Sequence, residues 1–139
     1  MRGFTQDDAH IFCTAEQVDD EILKILDFTE YILQKLGFRK YNVYLSTRDP
    51  KQPEKYMGSE EDWKLAQKAL AEALERKGIA YHRMPGEAVF YGPKIDIYIV
   101  DASSREWQCS TIQFDFNLPK RFHITYTCSD GKEHEAIMI

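Results

Sequence analysis

Apolar positions in this chain follow two different periods, and the change from one to the other marks out the elements. From Thr14 to about Leu36, Val18, Ile22, Ile25, Thr29, Ile32, Leu33 and Leu36 recur at three- and four-residue steps. That spacing predicts an amphipathic helix with one buried stripe. Thr14 to Gln17 is a Thr-x-x-Gln start signature, Glu16 sits near the positive end, and Gly37 suits a left-handed stop. A second helix is expected from Glu60 to Lys77, with Ser59 and Asp62 as its capping pair and Gly78 as its end. Its inward residues are Trp63, Ala66, Leu70, Ala73 and Leu74, and its many Lys and Glu residues read as a solvated face.

The remaining segments favour a period of two. Gly3 to Cys13 has the length of a strand, on which Phe4, Gln6, Asp8 and His10 share one face and Thr5, Asp7, Ala9 and Ile11 the other. At about 3.3 Å per residue, Phe4 to His10 would span roughly 20 Å. That length carries a ring, an amide, a carboxylate and an imidazole, which suits the floor of an extended polar ligand or equally a solvated edge. Phe38 to Ser46 alternates with Tyr41, Val43 and Leu45 against Asn42 and Tyr44. Asp49 to Gly58, with Pro50 and Pro53, is a loop, and Ile79 to Arg83 is a short strand. The clearest alternation sets Ile95, Ile97 and Ile99 against Lys94, Asp96 and Tyr98. Asp101 to Arg105 is a hairpin loop, Glu106 to Phe116 the returning strand, and Leu118-Pro119 ends it. Phe122 to Cys128 and Glu133 to Ile139 are joined by the turn Ser129-Asp130-Gly131-Lys132. Strands joined mostly by hairpins, with two helices packed on them, predict an α+β fold with an antiparallel sheet.

Composition narrows the class. The 139 residues are 43% hydrophobic and 13% aromatic, enough for one globular core. Eighteen basic against 23 acidic residues leave a net charge of −5, which argues against whole-domain attraction to nucleic acid while permitting a local contact to an RNA end. Three cysteines without a CxxC pair read as reduced thiols of a cytoplasmic protein. No apolar run approaches the roughly 18 residues of a membrane span.

Candidate chemistry is sparse from spacing alone. His10 and Cys13 lie three apart, on opposite faces of a strand, and His82, His123 and His134 fall in separate segments without ligand spacing. Tyr91 and Lys94 flank Gly92-Pro93, a rigid turn that lets backbone approach a ligand. On a regular strand Trp107, Cys109, Thr111 and Gln113 share a face, and Gln108 points away unless a bulge intervenes.

The run Arg2-Gly3-Phe4-Thr5-Gln6-Asp7-Asp8-Ala9-His10-Ile11-Phe12-Cys13 resembles the return strand of motif 2 in threonyl-tRNA synthetases, a class II family. The likeness continues through Leu45-Ser46-Thr47-Arg48, Phe90 to Ile95, and Trp107-Gln108-Cys109 with Thr111 and Gln113, across essentially the whole chain. The resemblance implies the fold of a class II catalytic core and the activation of L-threonine with ATP, followed by transfer to the acceptor end of tRNA(Thr). It implies that Phe4 stacks on adenine and Gln108 contacts ATP. It places Gln6, Asp8, Tyr91, Thr111 and Gln113 around threonine, with Asp8 accepting from the substrate hydroxyl. It makes His10 one of three protein ligands of a Zn2+ that reads the amino and hydroxyl groups, and it implies Mg2+ with ATP. The motif 1 interface, the motif 2 first strand and the motif 3 arginine have no match. The expectation is therefore a single partial catalytic domain over residues 1–139, truncated at both ends and running from late motif 2 to just before motif 3. Its parent would be a homodimeric enzyme. The chain alone would be inactive, would bind zinc weakly or not at all, and would be prone to self-association through exposed sheet edges. The alternative is a non-catalytic binding or regulatory module built on the same pocket.

Overall fold

In the computed structural model, which describes residues 2–139, a mixed sheet carries two long helices on one face. The first, α1 (Val18–Lys35), is led in by a 3-10 turn at Ala15–Gln17. The Thr14 N–H donates to Gln17 Oε1 at 3.0 Å, so the start signature works as its sequence suggests. Gly37 follows at φ 87°, in the left-handed region expected of the stop. The buried stripe differs in detail from the expected one. Val18, Ile22, Leu26 and Leu33 are buried, Ile32 is 37% exposed and Leu36 is 67% exposed. Leu26 takes the centre because the stripe is narrow. Ile25 and Ile32 lie on its rim, and Leu36 is the C-cap, past the last buried turn.

The second helix, α2 (Glu60–Arg76), is closed by a reciprocal cap in which the Asp62 N–H donates to Ser59 Oγ and the Ser59 N–H to Asp62 Oδ2, each at 3.1 Å. Trp63, Ala66, Leu70, Ala73 and Leu74 are all buried, as the spacing requires. The Trp63 ring meets Tyr56 and Phe116 edge-on at 5.2 and 5.5 Å, and its Nε1 donates to the Met57 carbonyl at 2.6 Å. At about 1.5–3 kcal/mol for each large apolar side chain buried, these residues supply much of the core.

Strands β2 (Tyr41–Thr47), β3 (His82–Pro85), β4 (Lys94–Val100) and β5 (Glu106–Gln113) form the sheet in the order β3-β2-β4-β5. β4 pairs antiparallel with both β2 and β5, so the hairpin expected between Lys94–Val100 and Glu106–Gln113 is present. Val43, Leu45, Ile95, Ile97 and Ile112 are buried. They share the sheet face against which the helices pack. One edge departs from the antiparallel expectation. β3 runs parallel to β2 because the whole of α2 intervenes, and a crossover of that length returns a strand in the same direction. A short helix α3 (Leu118–Arg121) follows β5, and β6 (Thr125–Thr127) pairs with β7 (Glu133–Glu135) across the expected turn.

The largest correction falls at the beginning. Only Phe12–Cys13 (β1) forms a strand, paired antiparallel with Ile137–Met138 (β8). Ile11 and Ile139 add a reciprocal pair of backbone bonds at 2.9 Å. Phe4, Gln6, Asp8 and His10 are exposed and outside any strand. A strand is held by its ladder, and within this chain residues 3–10 meet no neighbouring strand; the two-residue parity that would give them a common face is therefore not imposed. No helix among the described residues is long and apolar enough to cross a membrane.

Candidate active-site face

The sheet face turned away from the helices is polar, and it is organised around one carboxylate. Asp96, in the middle of β4, is 3% exposed. Its Oδ2 accepts from Ser46 Oγ of β2 at 2.7 Å and from Lys94 Nζ at 2.8 Å. Its Oδ1 accepts from Gln108 Nε2 at 2.8 Å, Thr111 Oγ1 at 3.1 Å and Lys94 Nζ at 2.9 Å. A carboxylate offers about four lone-pair sites, so this one is saturated by side chains of the two neighbouring strands and one ammonium.

Gln108 reaches Asp96 because β5 carries a bulge. Ile97 stands opposite Ser110 and Tyr98 opposite Gln108, which leaves Cys109 as the extra residue. The bulge turns Gln108 onto the face of Thr111 and Gln113 and sends Trp107 to the other side, opposite Ile99. The shared face expected for Trp107 and Thr111 is thus corrected. Trp107 instead donates from Nε1 to Asp101 Oδ2 at 3.0 Å, with the Arg105 guanidinium 5.4 Å from its ring.

One end of the face is a backbone crossing. A Cβ on Gly92 would lie 1.9 Å from the Phe114 carbonyl oxygen, so only glycine fits there. Gln113 Nε2 donates to the Gly92 carbonyl at 3.1 Å and ties the turn to β5. Tyr91 is half-buried beside this crossing, its ring edge-on to Phe90 at 5.1 Å. The other end is aromatic. Tyr44 meets Tyr98 edge-on at 5.0 Å and His82 at 5.8 Å, and its hydroxyl donates to Glu106 Oε2 at 3.0 Å. The hydrogen bond to Glu106 pushes the Tyr44 phenol up from its ordinary value, so it stays a neutral donor at physiological pH. Two surface depressions, of ≈340 and ≈580 Å³, are lined from α2 and around the end of α1; neither includes a residue of this face.

The sequence pattern of the family described as "tRNA synthetase class II core domain (G, H, P, S and T)" matches residues 1–139. The chain belongs to that family. It is 54% identical over all 139 residues to a threonine–tRNA ligase of Acidobacterium capsulatum, covering 20% of that protein. It is 58% identical to one of Synechococcus sp. (strain CC9605), covering 22%. Its structure resembles a crystal structure titled as the RNA binding domain of threonyl-tRNA synthetase from Cryptosporidium parvum Iowa II. That match has a TM-score of 0.87 and 44% identity over 96% of this chain and 32% of the other. It also resembles a putative threonyl-tRNA synthetase of Aeropyrum pernix, with a TM-score of 0.81 and 39% identity over 99% of this chain and 32% of the other. The chain therefore spans about a fifth of the curated relatives it matches.

Within this class II core, the structure gathers Gln108, Thr111 and Gln113 onto one face and sets Tyr91 beside the Gly92 crossing at its end. Phe4, Gln6, Asp8 and His10 lie outside that ladder. Among the described residues, His10 belongs to no group of three or more His, Cys, Asp or Glu side chains whose ligand atoms converge. Asp96 and Ser46 were the residues spacing did not single out. The available signal was Asp96 itself, a carboxylate between Ile95 and Ile97 in the most apolar strand, where burial demands partners.

Proposed function

We propose that this chain is one part, truncated at both ends, of the catalytic domain of a threonine–tRNA ligase, running from late motif 2 to just before motif 3. The face built on Asp96 would hold substrate groups during activation. The reading is supported most by Gln108, Thr111 and Gln113 converging on one open sheet face through the bulge at Cys109. In the reaction, the threonine carboxylate attacks the α-phosphorus of ATP and pyrophosphate leaves. The resulting threonyl adenylate is then attacked by a terminal ribose hydroxyl of tRNA(Thr), releasing AMP.

The work of this chain's residues is positioning. Gln108, braced by Asp96 and Thr111, presents a fixed amide to the nucleotide. Thr111, Gln113 and Tyr91 border the amino acid, Tyr91 near its amino group. Phe4 stacks on adenine, Gln6 orients threonine, and Asp8 accepts from the substrate hydroxyl. These last three act once residues 3–10 have gained a neighbouring strand. Mg2+ would accompany ATP, and the parent is proposed to work as a homodimer.

Threonine-dependent ATP–pyrophosphate exchange by the whole ligase carrying this segment tests the proposal. Exchange is expected, with kcat/KM reduced roughly 10²-fold by Gln108→Ala through ATP and by Asp8→Ala through threonine. Absence of exchange from the intact protein would leave the non-catalytic module as the reading.

A further inference from the structure

The hairpin of β6 and β7 takes no part in the polar face, yet its closed end gathers three side chains of different ligand chemistry. Cys128, Asp130 and His134 place their ligand atoms within 4.8 Å of one another. In sequence the spacing is Cys-x-Asp-x3-His, which brings nothing together until the turn folds His134 back. The turn is fixed by the Cys128 N–H donating to the Lys132 carbonyl at 3.1 Å and the Gly131 N–H to the Cys128 carbonyl at 3.0 Å.

Asp130 works in two directions. Its Oδ1 accepts from the Lys132 N–H at 2.9 Å, and its Oδ2 lies 3.1 Å from His134 Nε2. The imidazole stacks on Tyr126, with ring centroids 5.7 Å apart, and this sets its plane. The Lys132 N–H and His134 together hold the Asp130 carboxyl below the usual carboxylate range, so it is charged at neutral pH. Glu16 adds negative potential nearby. Its carboxyl is held low first by its hydrogen bond with Thr14 and in small part by His134.

We propose that this hairpin end binds a borderline divalent cation, Zn2+ or Co2+, through Cys128 Sγ, His134 nitrogen and an Asp130 oxygen, with water completing the shell. Thiolate and imidazole together favour such an ion over Mg2+ or Ca2+. Ligand atoms of a tetrahedral zinc site lie about 3.4–3.8 Å apart, so modest rotamer changes of the half-buried Cys128 and its more open neighbours suffice. As the sulfur–metal bond forms, the Cys128 proton passes to solvent. The other thiols do not compete. Cys13 is 6% exposed and its thiol is pushed up by burial and then by Glu21, while Cys109 stands on β5 away from this hairpin. A site this open exchanges its ion and yields it to a chelator.

Anaerobic titration of the reduced chain with Co2+ tests the site, independently of the ligase reading. A near-ultraviolet thiolate-to-cobalt band should saturate at one ion per chain and be bleached by Zn2+. Zn2+ affinity, measured against a chromophoric chelator, should fall at least tenfold in Cys128→Ser, His134→Gln and Asp130→Asn, and remain unchanged in Cys109→Ser and His82→Gln. Unchanged far-ultraviolet circular dichroism would exclude misfolding of the variants. In the zinc-loaded chain the His134 ring resonances should shift while those of His82 and His123 stay in place. A missing cobalt band, one ion per two chains, full Zn2+ affinity in Cys128→Ser, or unmoved His134 resonances would each overturn the site.

Discussion

At the scale of single residues, Asp96 decides whether the polar face exists. Among the described residues its carboxylate is the only side-chain acceptor for Lys94 and Ser46, and the principal one for Gln108. Asp96→Ala would leave the Lys94 ammonium, 15% exposed, without its counter-charge. Removing one partner of such a pair costs about 3–5 kcal/mol, and a drop of that size is expected in urea unfolding. Asp96→Asn keeps the shape and one acceptor oxygen, and about 1–3 kcal/mol is expected. Gly92 is the second decisive position, for steric reasons. A Cβ 1.9 Å from a carbonyl oxygen that the crossing holds in place cannot be relieved by a rotamer change. Gly92→Ala is expected to cost about 3 kcal/mol, whereas Gly3→Ala, with nothing within 4 Å of its Cβ, should change stability by less than about 0.5 kcal/mol.

At the scale of elements, α1, α2 and β2 meet in a small polar joint. The Tyr41 hydroxyl of β2 donates to Glu30 Oε1 at 2.6 Å, and Lys77 at the end of α2 bridges Glu30 at 2.9 Å and Asp27. Glu30 is held below its ordinary range first by Tyr41 and then by Lys77. Its contribution is therefore present above the ordinary glutamate range and is lost as pH falls through its lowered value. Tyr41 behaves in the opposite sense. Burial first, and the bond to Glu30 second, push its phenol from 10.0 up to about 12. Its contribution is complete below pH 10.0 and is lost as pH rises toward about 12. Lys77, raised by its two carboxylates against the opposing effect of burial, adds a loss in the same alkaline direction. Chemical denaturation across that window should show about 1–2 kcal/mol lost by the natural chain, and Tyr41→Phe should lose less, keeping the parts due to Lys77 and to the other raised groups such as Tyr44. A Tyr41→Phe profile identical to that of the natural chain would remove Tyr41 from the joint.

At the scale of the molecule, what could be read in advance was local. Both helices, their Thr14 and Ser59 caps, the β4–β5 hairpin and the inward set of α2 follow from periods of 3.6 and 2 that any short window displays. The polar face was half legible. Lys94, Asp96 and Tyr98 share a parity, but the bulge that adds Gln108 depends on pairing between strands, which no single strand encodes. The parallel placement of β3, the union of β1 with β8 and the unpaired state of residues 3–10 are likewise choices of partner made at long range. Those choices leave β5 as an outer strand of eight residues with one ladder unmade. Edges of that length invite pairing with a second chain, and the bulge at Cys109 blunts this one only locally. Sedimentation of the reduced chain is therefore expected to show a mass that rises with concentration. Placing a charge at the exposed bulge, as in Cys109→Lys, should return the chain to monomer without altering its circular dichroism, because Cys109 fills no place in the core. Association that persists unchanged in Cys109→Lys would move the contact to β3 or to the exposed row of α1, where Phe28 is 64% exposed and Tyr31 55%.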